Sequence, residues 1–160
     1  MRKKYILEII MVAGLFLIDQ VTKFLVASNM YLGQEIEIIK NFFSLTYVRN
    51  TGAGFSILEG KMTFFYVITI FALCFLGYLL IKGQKEHPLY ITSILFMIGG
   101  TLGNFFDRIV YQYVIDFLDF IIFGFDFAVF NMADVFLTVG VMLFIVEYFL
   151  ETKGVIHGKN

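Results

Sequence analysis

This sequence predicts a membrane α+β fold, with four transmembrane helices and a small extracytoplasmic β-sheet at the outer membrane surface. Three observations predict it. The 160 residues are 59% hydrophobic and only 16% charged, against about 45–50% and about 25% in a soluble domain. Four stretches are long enough to cross a bilayer, which takes about 20 mainly apolar residues. The two longer segments between those stretches are rich in strand formers.

The chain reads as one membrane domain over residues 1–160. The first span covers about 5–27 and follows Arg2, Lys3 and Lys4. Its basic start and its Val26-Ala27-Ser28 end resemble a cleaved secretory signal. Glu8 inside the apolar run, and Asp19-Gln20-Val21-Thr22-Lys23 after it, argue for a retained helix instead. The other spans cover about 62–81, 89–109 and 132–150. Cys74 cannot form an internal disulfide, because it is the one cysteine; its apolar neighbours predict a buried, inert thiol.

Lys and Arg gather on the cytoplasmic side of membrane proteins. Beyond the N-terminal three, Lys82 and Lys85 lie between the second and third spans, and Lys153 and Lys159 in the tail. The first loop, 28–61, balances Lys40, Arg49 and Lys61 with Glu35, Glu37 and Glu59, and the third, 110–131, has no Lys or Arg. Both termini are therefore expected in the cytoplasm and both larger loops outside. In the first loop, Glu35–Ile38 alternates and Phe42–Val48 favours a strand; Leu118–Phe130 does too, with Gly124 as a turn. These three runs are expected to form the sheet. No strongly basic face accompanies the net charge of −1, so a nucleic-acid partner is not expected.

Ionisable groups inside spans cost about 2.5–3.5 kcal/mol each on insertion scales, so each is a functional candidate. Here they gather at the outer edge: Asp19 and Lys23, then Asn104, Asp107 and Arg108, then Asn131 and Asp134. Asp116 lies in the outer loop before the fourth span. Asp19 and Lys23 stand four apart on one helix face and are expected to pair as a structural anchor. Asp107 with Arg108 reads equally as an interfacial anchor. Asn131 is placed to cap the fourth helix. Gly99-Gly100-Thr101-Leu102-Gly103 is expected to permit close helix packing.

The two histidines, His87 and His157, lie on the cytoplasmic side. A Ser–His pair and a histidine-ligated zinc are thus not available at the outer edge, and no metal or other cofactor is expected. Carboxylates remain: Asp107, Asp116, Asp119, Asp126 and Asp134. Two that share a proton can activate water and protonate a leaving amine. Spacing alone does not choose the pair. A small transporter would also bury charges, but broken helices and repeats are not evident. A non-catalytic assembly factor would need no paired outer aspartates.

Five segments resemble the bacterial lipoprotein signal peptidases (signal peptidase II, prolipoprotein signal peptidase). They are Asp19-Gln20-Val21-Thr22-Lys23, Arg49-Asn50-Thr51-Gly52-Ala53-Gly54-Phe55-Ser56, Gly99 to Arg108, Val114-Ile115-Asp116-Phe117 and Phe130-Asn131-Met132-Ala133-Asp134. Ile115 and Met132 vary apolar positions within them, and the third loop is unusually aromatic. The resemblance implies a metal-free aspartic endopeptidase of the bacterial cytoplasmic membrane, with its site near the outer face. It implies a diacylglyceryl-modified prolipoprotein as substrate, cut just before the lipidated cysteine, and the sheet as the family's cradle. It carries the catalytic pair onto Asp116 and Asp134. Asn50, Gly52, Asn104, Arg108 and Asn131 match substrate-binding and supporting positions, and Asp19 and Lys23 a structural polar pair. Membrane lipid and cyclic peptide antibiotics that inhibit the family are the further partners it implies. Asn50–Phe55, with two glycines and an aromatic, is expected to close over the lipid-bearing substrate.

Overall fold

The computed structural model describes residues 2–52 and 60–156. Of the segment expected to close over substrate, Ala53, Gly54 and Phe55 lie outside the described residues, as do Glu59, His157 and Lys159. Four helices are long and apolar enough to cross a membrane. They are α1 (Arg2–Asn29), α2 (Met62–Lys82), α3 (Pro88–Tyr111) and α4 (Met132–Thr152). The antiparallel sheet comprises β1 (Glu35–Ile39), β2 (Phe43–Asn50), β3 (Val114–Ile122) and β4 (Phe125–Asp126), in that spatial order. Both parts of the expected fold class are present.

The helices pack around α3, which touches each of the other three. Its glycines make that possible. A Cβ at Gly99 would meet Leu15 of α1, and one at Gly100 would meet the carbonyl of Ala133 and Leu137 of α4. One at Gly103 would run into the Asp19 carboxylate. Close backbone approach, rather than any backbone freedom, is what these three positions need. The start of α3 is set by His87, whose Nδ1 accepts the Leu89 N–H at 3.2 Å, followed by Pro88 in the first turn.

Most of the apolar surface of α1, α2 and α4 faces outward, as a lipid solvent requires. Cys74 corrects one expectation. It is exposed on α2 rather than buried among protein side chains. The apolar run around it is apolar on every side because α2 packs chiefly on α3 and gives its remaining faces to lipid.

The sheet lies at the end of the bundle where α1 and α3 finish and α4 starts. The strand that follows α3 begins at Val114, four residues before the aromatic run predicts. Pairing explains the difference: Val114, Ile115 and Asp116 lie opposite Asn50, Arg49 and Val48 of β2. At the far end, Phe123 and Gly124 take positive φ and turn β3 into β4. On one sheet face Tyr47, Ile115 and Phe117 pack with Val26 near the end of α1. Alternation sends Asp116 to the opposite face, toward α3 and α4.

Candidate active site

The site begins with the start of α4. Asn131 is its N-cap, with extended backbone, and its Oδ1 accepts the Asp134 N–H at 3.2 Å. Asp134 answers with Oδ2, which accepts the Asn131 N–H at 3.1 Å. This reciprocal capping box satisfies donors that a helix start leaves open. It also fixes the Asp134 carboxylate in space. With Oδ1 occupied, Asn131 can use only Nδ2 toward its neighbours, and it donates to Asp116 Oδ1 at 2.6 Å. One buried asparagine thus ties the two carboxylates together.

Each carboxylate has a second amide partner. Asn50 donates from Nδ2 to Asp116 Oδ2 at 2.9 Å, while its Oδ1 accepts the Gly52 N–H at 2.8 Å. Asn50 lies diagonally across the β2–β3 ladder from Asp116, a distance side chains bridge. Asn104 of α3 donates from Nδ2 to Asp134 Oδ1 at 2.8 Å. Its Oδ1 accepts from Asn131 Nδ2 at 3.0 Å and from Lys23 Nζ at 2.9 Å. Three asparagine amides are therefore locked in one orientation by their partners.

Behind Asn104 lies a fully buried ion cluster. Lys23 Nζ stands 2.8 Å from Asp19 Oδ2 and 3.1 Å from Asp107 Oδ2. Gln20 Nε2 bridges the two acids, at 3.0 Å to Asp19 and 2.9 Å to Asp107. Backbone donors complete them: Ala133 N–H to Asp19 Oδ1 at 2.9 Å, and Ile115 N–H to Asp107 Oδ2 at 3.1 Å. The expected pair of Asp19 and Lys23 is present. Asp107 shares the lysine with it, and the cluster fastens α1 to α3, β3 and α4. Gln20 was a missed member; an amide beside an acid within a span was the signal that marked it.

Arg108 closes another side. It donates weakly to the Asn104 and Gly52 carbonyls, at 3.4 and 3.3 Å, and lies 4.8 Å over the Phe65 ring. Its buried Nε has no partner among the described residues. Asn50, Asn104, Arg108, Asp116 and Asp134 together line a cavity of about 140 Å³. Three of the five carboxylates lie elsewhere, Asp107 in the ion cluster and two more on the sheet. Asp119 accepts from Thr46 Oγ1 at 2.6 Å, and with Asp126 it lines a separate cleft that all four strands border. Among the described residues no three His, Cys, Asp or Glu side chains are grouped to hold a metal.

Asp116 is 3% exposed. Burial, and after it the charge of the facing Asp134, pushes its carboxyl up to about 7. The Asn50 and Asn131 hydrogen bonds and the Lys23 charge act the other way. An acid whose carboxyl is pushed up toward neutrality faces a second buried carboxyl group held by two N–H donors. That arrangement can take a proton from water and give one to a carbonyl or amine.

Comparison with known proteins adds the family. A family model described as Signal peptidase (SPase) II matches residues 11–150. The chain is 43% identical over 156 residues to lipoprotein signal peptidases of Staphylococcus aureus strains JH9 and Newman, covering 96% of this chain and 96% of each relative. The chain belongs to the signal peptidase II family. Members of that family are proteases, and this one is a multi-pass membrane protein. Two solved bacterial membrane enzymes, determined by the in meso method, share the fold of this signal peptidase II. The one at 2.3 Å resolution has a TM-score of 0.86 and 40% identity, covering 96% of this chain and 93% of its own. The one at 1.9 Å has a TM-score of 0.80 and 43% identity, covering 87% and 90%.

Proposed function

We propose that this signal peptidase II removes the signal peptide from diacylglyceryl-modified prolipoproteins, using Asp116 and Asp134 as a shared-proton pair. The observation that carries the reading is the double grip of Asn131 on both carboxylates at the wall of one cavity. In this reading Asp134 starts ionised and takes a proton from water. The water oxygen attacks the scissile carbonyl carbon, and protonated Asp116 donates to the carbonyl oxygen. The tetrahedral intermediate collapses: Asp116 takes back a hydroxyl proton, the C–N bond breaks, and the proton taken up by Asp134 goes to the departing amine. Arg108 Nε, with no partner among the described residues, is the donor left over for a substrate oxygen. The cleavage is just before the lipidated cysteine, where peptide, lipid and water meet.

The direct test incubates purified protein in detergent with a lipidated prolipoprotein. Release of the intact signal peptide, with an N-terminal lipid-modified cysteine on the product, is expected. An unchanged substrate mass under conditions where the protein remains folded would sink the reading. The same cavity is proposed to take the family's cyclic peptide inhibitors, and the apolar faces to be solvated by membrane lipid.

The pH profile offers an independent check. Asp116 keeps its proton up to about 7 and loses it above, so kcat/KM is expected to fall as pH rises through that range. The limb belongs to the coupled pair rather than to one residue. Asn50 donates to the ionised form, so Asn50→Ala removes a force that lowers the pKa. Its basic limb is therefore expected at higher pH than the parent's; an unmoved or lowered limb would contradict the assignment.

We further propose that the protein lies in the bacterial cytoplasmic membrane with both termini in the cytoplasm. The distribution of Lys and Arg supports it. Because Cys74 is exposed, it is first replaced by Ser. Single cysteines are then placed at Glu37 and Lys85, both exposed. An impermeant maleimide added outside is expected to label position 37 and spare 85. The reverse pattern would invert the orientation.

A further inference from the structure

A second cavity, of about 610 Å³, lies at the other end of the helices. Its walls are Tyr5 to Phe16 of α1, Leu80 of α2, and Leu95, Ile98 and Leu102 of α3. Both α1 and α2 pack on α3, which leaves a groove between them. The groove has one charged lining residue, Glu8. Glu8 is 8% exposed, and its Oε1 has no hydrogen-bond partner among the described residues. Among the described residues its Oε2 has only a long contact of 3.5 Å from Gln84 Nε2. A buried carboxylate oxygen without a donor is costly, and this one lines an otherwise apolar groove. One turn earlier Lys4, next in sequence to the lining Tyr5, donates to the Gln84 carbonyl at 2.6 Å.

The dimensions restrict the occupant. From Tyr5 to Phe16 the helix rises about 17 Å, close to the roughly 15 Å of one leaflet's hydrocarbon. A spanning peptide would need twice that length. Position around α3 excludes the substrate's own path as well. Leu95, Ile98 and Leu102 point on average about 130° round the helix from Asn104 and Arg108, so the groove opens on a different face from the aspartates. We infer that this groove binds a phospholipid whose head group carries a primary ammonium, drawn from the leaflet around the N-terminus. One acyl chain fills the apolar trough, the ammonium donates to Glu8 Oε1, and the phosphate lies toward Lys4. The choice of head group rests on charge: an acid with an open lone pair inside, a lysine outside.

The test uses the full chain in detergent, titrated separately with dioleoyl phosphatidylethanolamine, phosphatidylcholine and phosphatidylglycerol. Retained lipid is counted by native mass spectrometry, and Tm is followed in parallel. Phosphatidylethanolamine is expected to bind about tenfold more tightly than the other two, because the choline head has no N–H and the glycerol head no cation. Glu8→Gln should erase that preference while leaving prolipoprotein cleavage in detergent unchanged. Ala13→Phe, which fills the trough with Glu8 intact, should abolish retention of all three, and it decides the matter if Glu8→Gln does not fold. Equal binding of the three lipids by the parent, or a preference that survives Glu8→Gln or retention that survives Ala13→Phe, would overturn the inference. So would displacement of phosphatidylethanolamine by prolipoprotein, which would make the groove part of the substrate path.

Discussion

Asp116→Asn and Asp134→Asn are each expected to abolish measurable cleavage of a lipidated prolipoprotein. Each change keeps side-chain size but removes the titrating proton. General acid–base help is typically worth about 10²–10⁴-fold, and two groups that pass one proton fail together. The double mutant is therefore expected to be little worse than either single one. Folding has to be checked separately, because the two positions are not equally forgiving. Asn at 134 can still accept the Asn131 N–H that Asp134 Oδ2 accepts now. Its Nδ2 would then oppose the Asn104 Nδ2 that donates to Asp134 Oδ1. Asn at 116 meets the same conflict with Asn50 or Asn131, which donate to its two oxygens. Some loss of Tm is thus expected in both. The decisive reading is turnover per folded molecule: either mutant cleaving near the parent rate while well folded would end the dyad assignment. Asp107 would then be the next carboxylate to examine.

Lys23→Ala is expected to cut stability severely, with a much smaller effect on turnover per folded molecule. Lys23 is 1% exposed and stands between Asp19 and Asp107, both 0% exposed. Removing the lysine leaves two buried carboxylates facing each other with no counter-charge, which costs about 3–5 kcal/mol in measured cases. Asn104 would keep its orientation, because Asn131 Nδ2 still donates to the same oxygen. Breaking a buried pair and replacing it are different experiments. Asp19→Asn and Asp107→Asn combined with Lys23→Met should therefore recover much of the lost Tm. Thermal unfolding in detergent and prolipoprotein cleavage are the two readouts. If Lys23→Ala kept the parent Tm but lost turnover, the lysine would act on the reaction itself rather than on the scaffold.

The position of this cluster at one end of the helices, beside the sheet, has a reason in the surroundings. A carboxylate pair in hydrocarbon would lack the water that hydrolysis consumes. The sheet supplies a polar roof from the aqueous side through Asn50 and Asp116, while α3 and α4 supply Asn104, Arg108 and Asp134 from the membrane side. In the proposed reading, a substrate held by its own lipid meets the cavity at that border.

By itself the sequence determined the spans, because about 20 mainly apolar residues have few alternatives to lipid. It determined the helix cap at Asn131 and the pairing of Asp19 with Lys23, because both depend only on neighbours three or four residues away. It marked the glycines of α3 as contact points, and it put the outer carboxylates at one depth. The tertiary structure decided the rest. Asp107 lies one residue before Arg108, yet it turns to Lys23 of α1, a partner 84 positions away. Asp116 reads as a loop residue, and only pairing of β3 with β2 makes it a strand residue aimed at α4. Cys74 reads as buried until α2 is found with most of its surface facing lipid. Local periodicity reports which side of a helix is apolar. It does not report which distant chain arrives there, because those contacts are formed only when separate elements pack. That is why the spans and caps were legible in the sequence, and resemblance could name Asp116, Asp134 and the asparagines, while the contacts by which those asparagines join the two carboxylates depended on the folded chain.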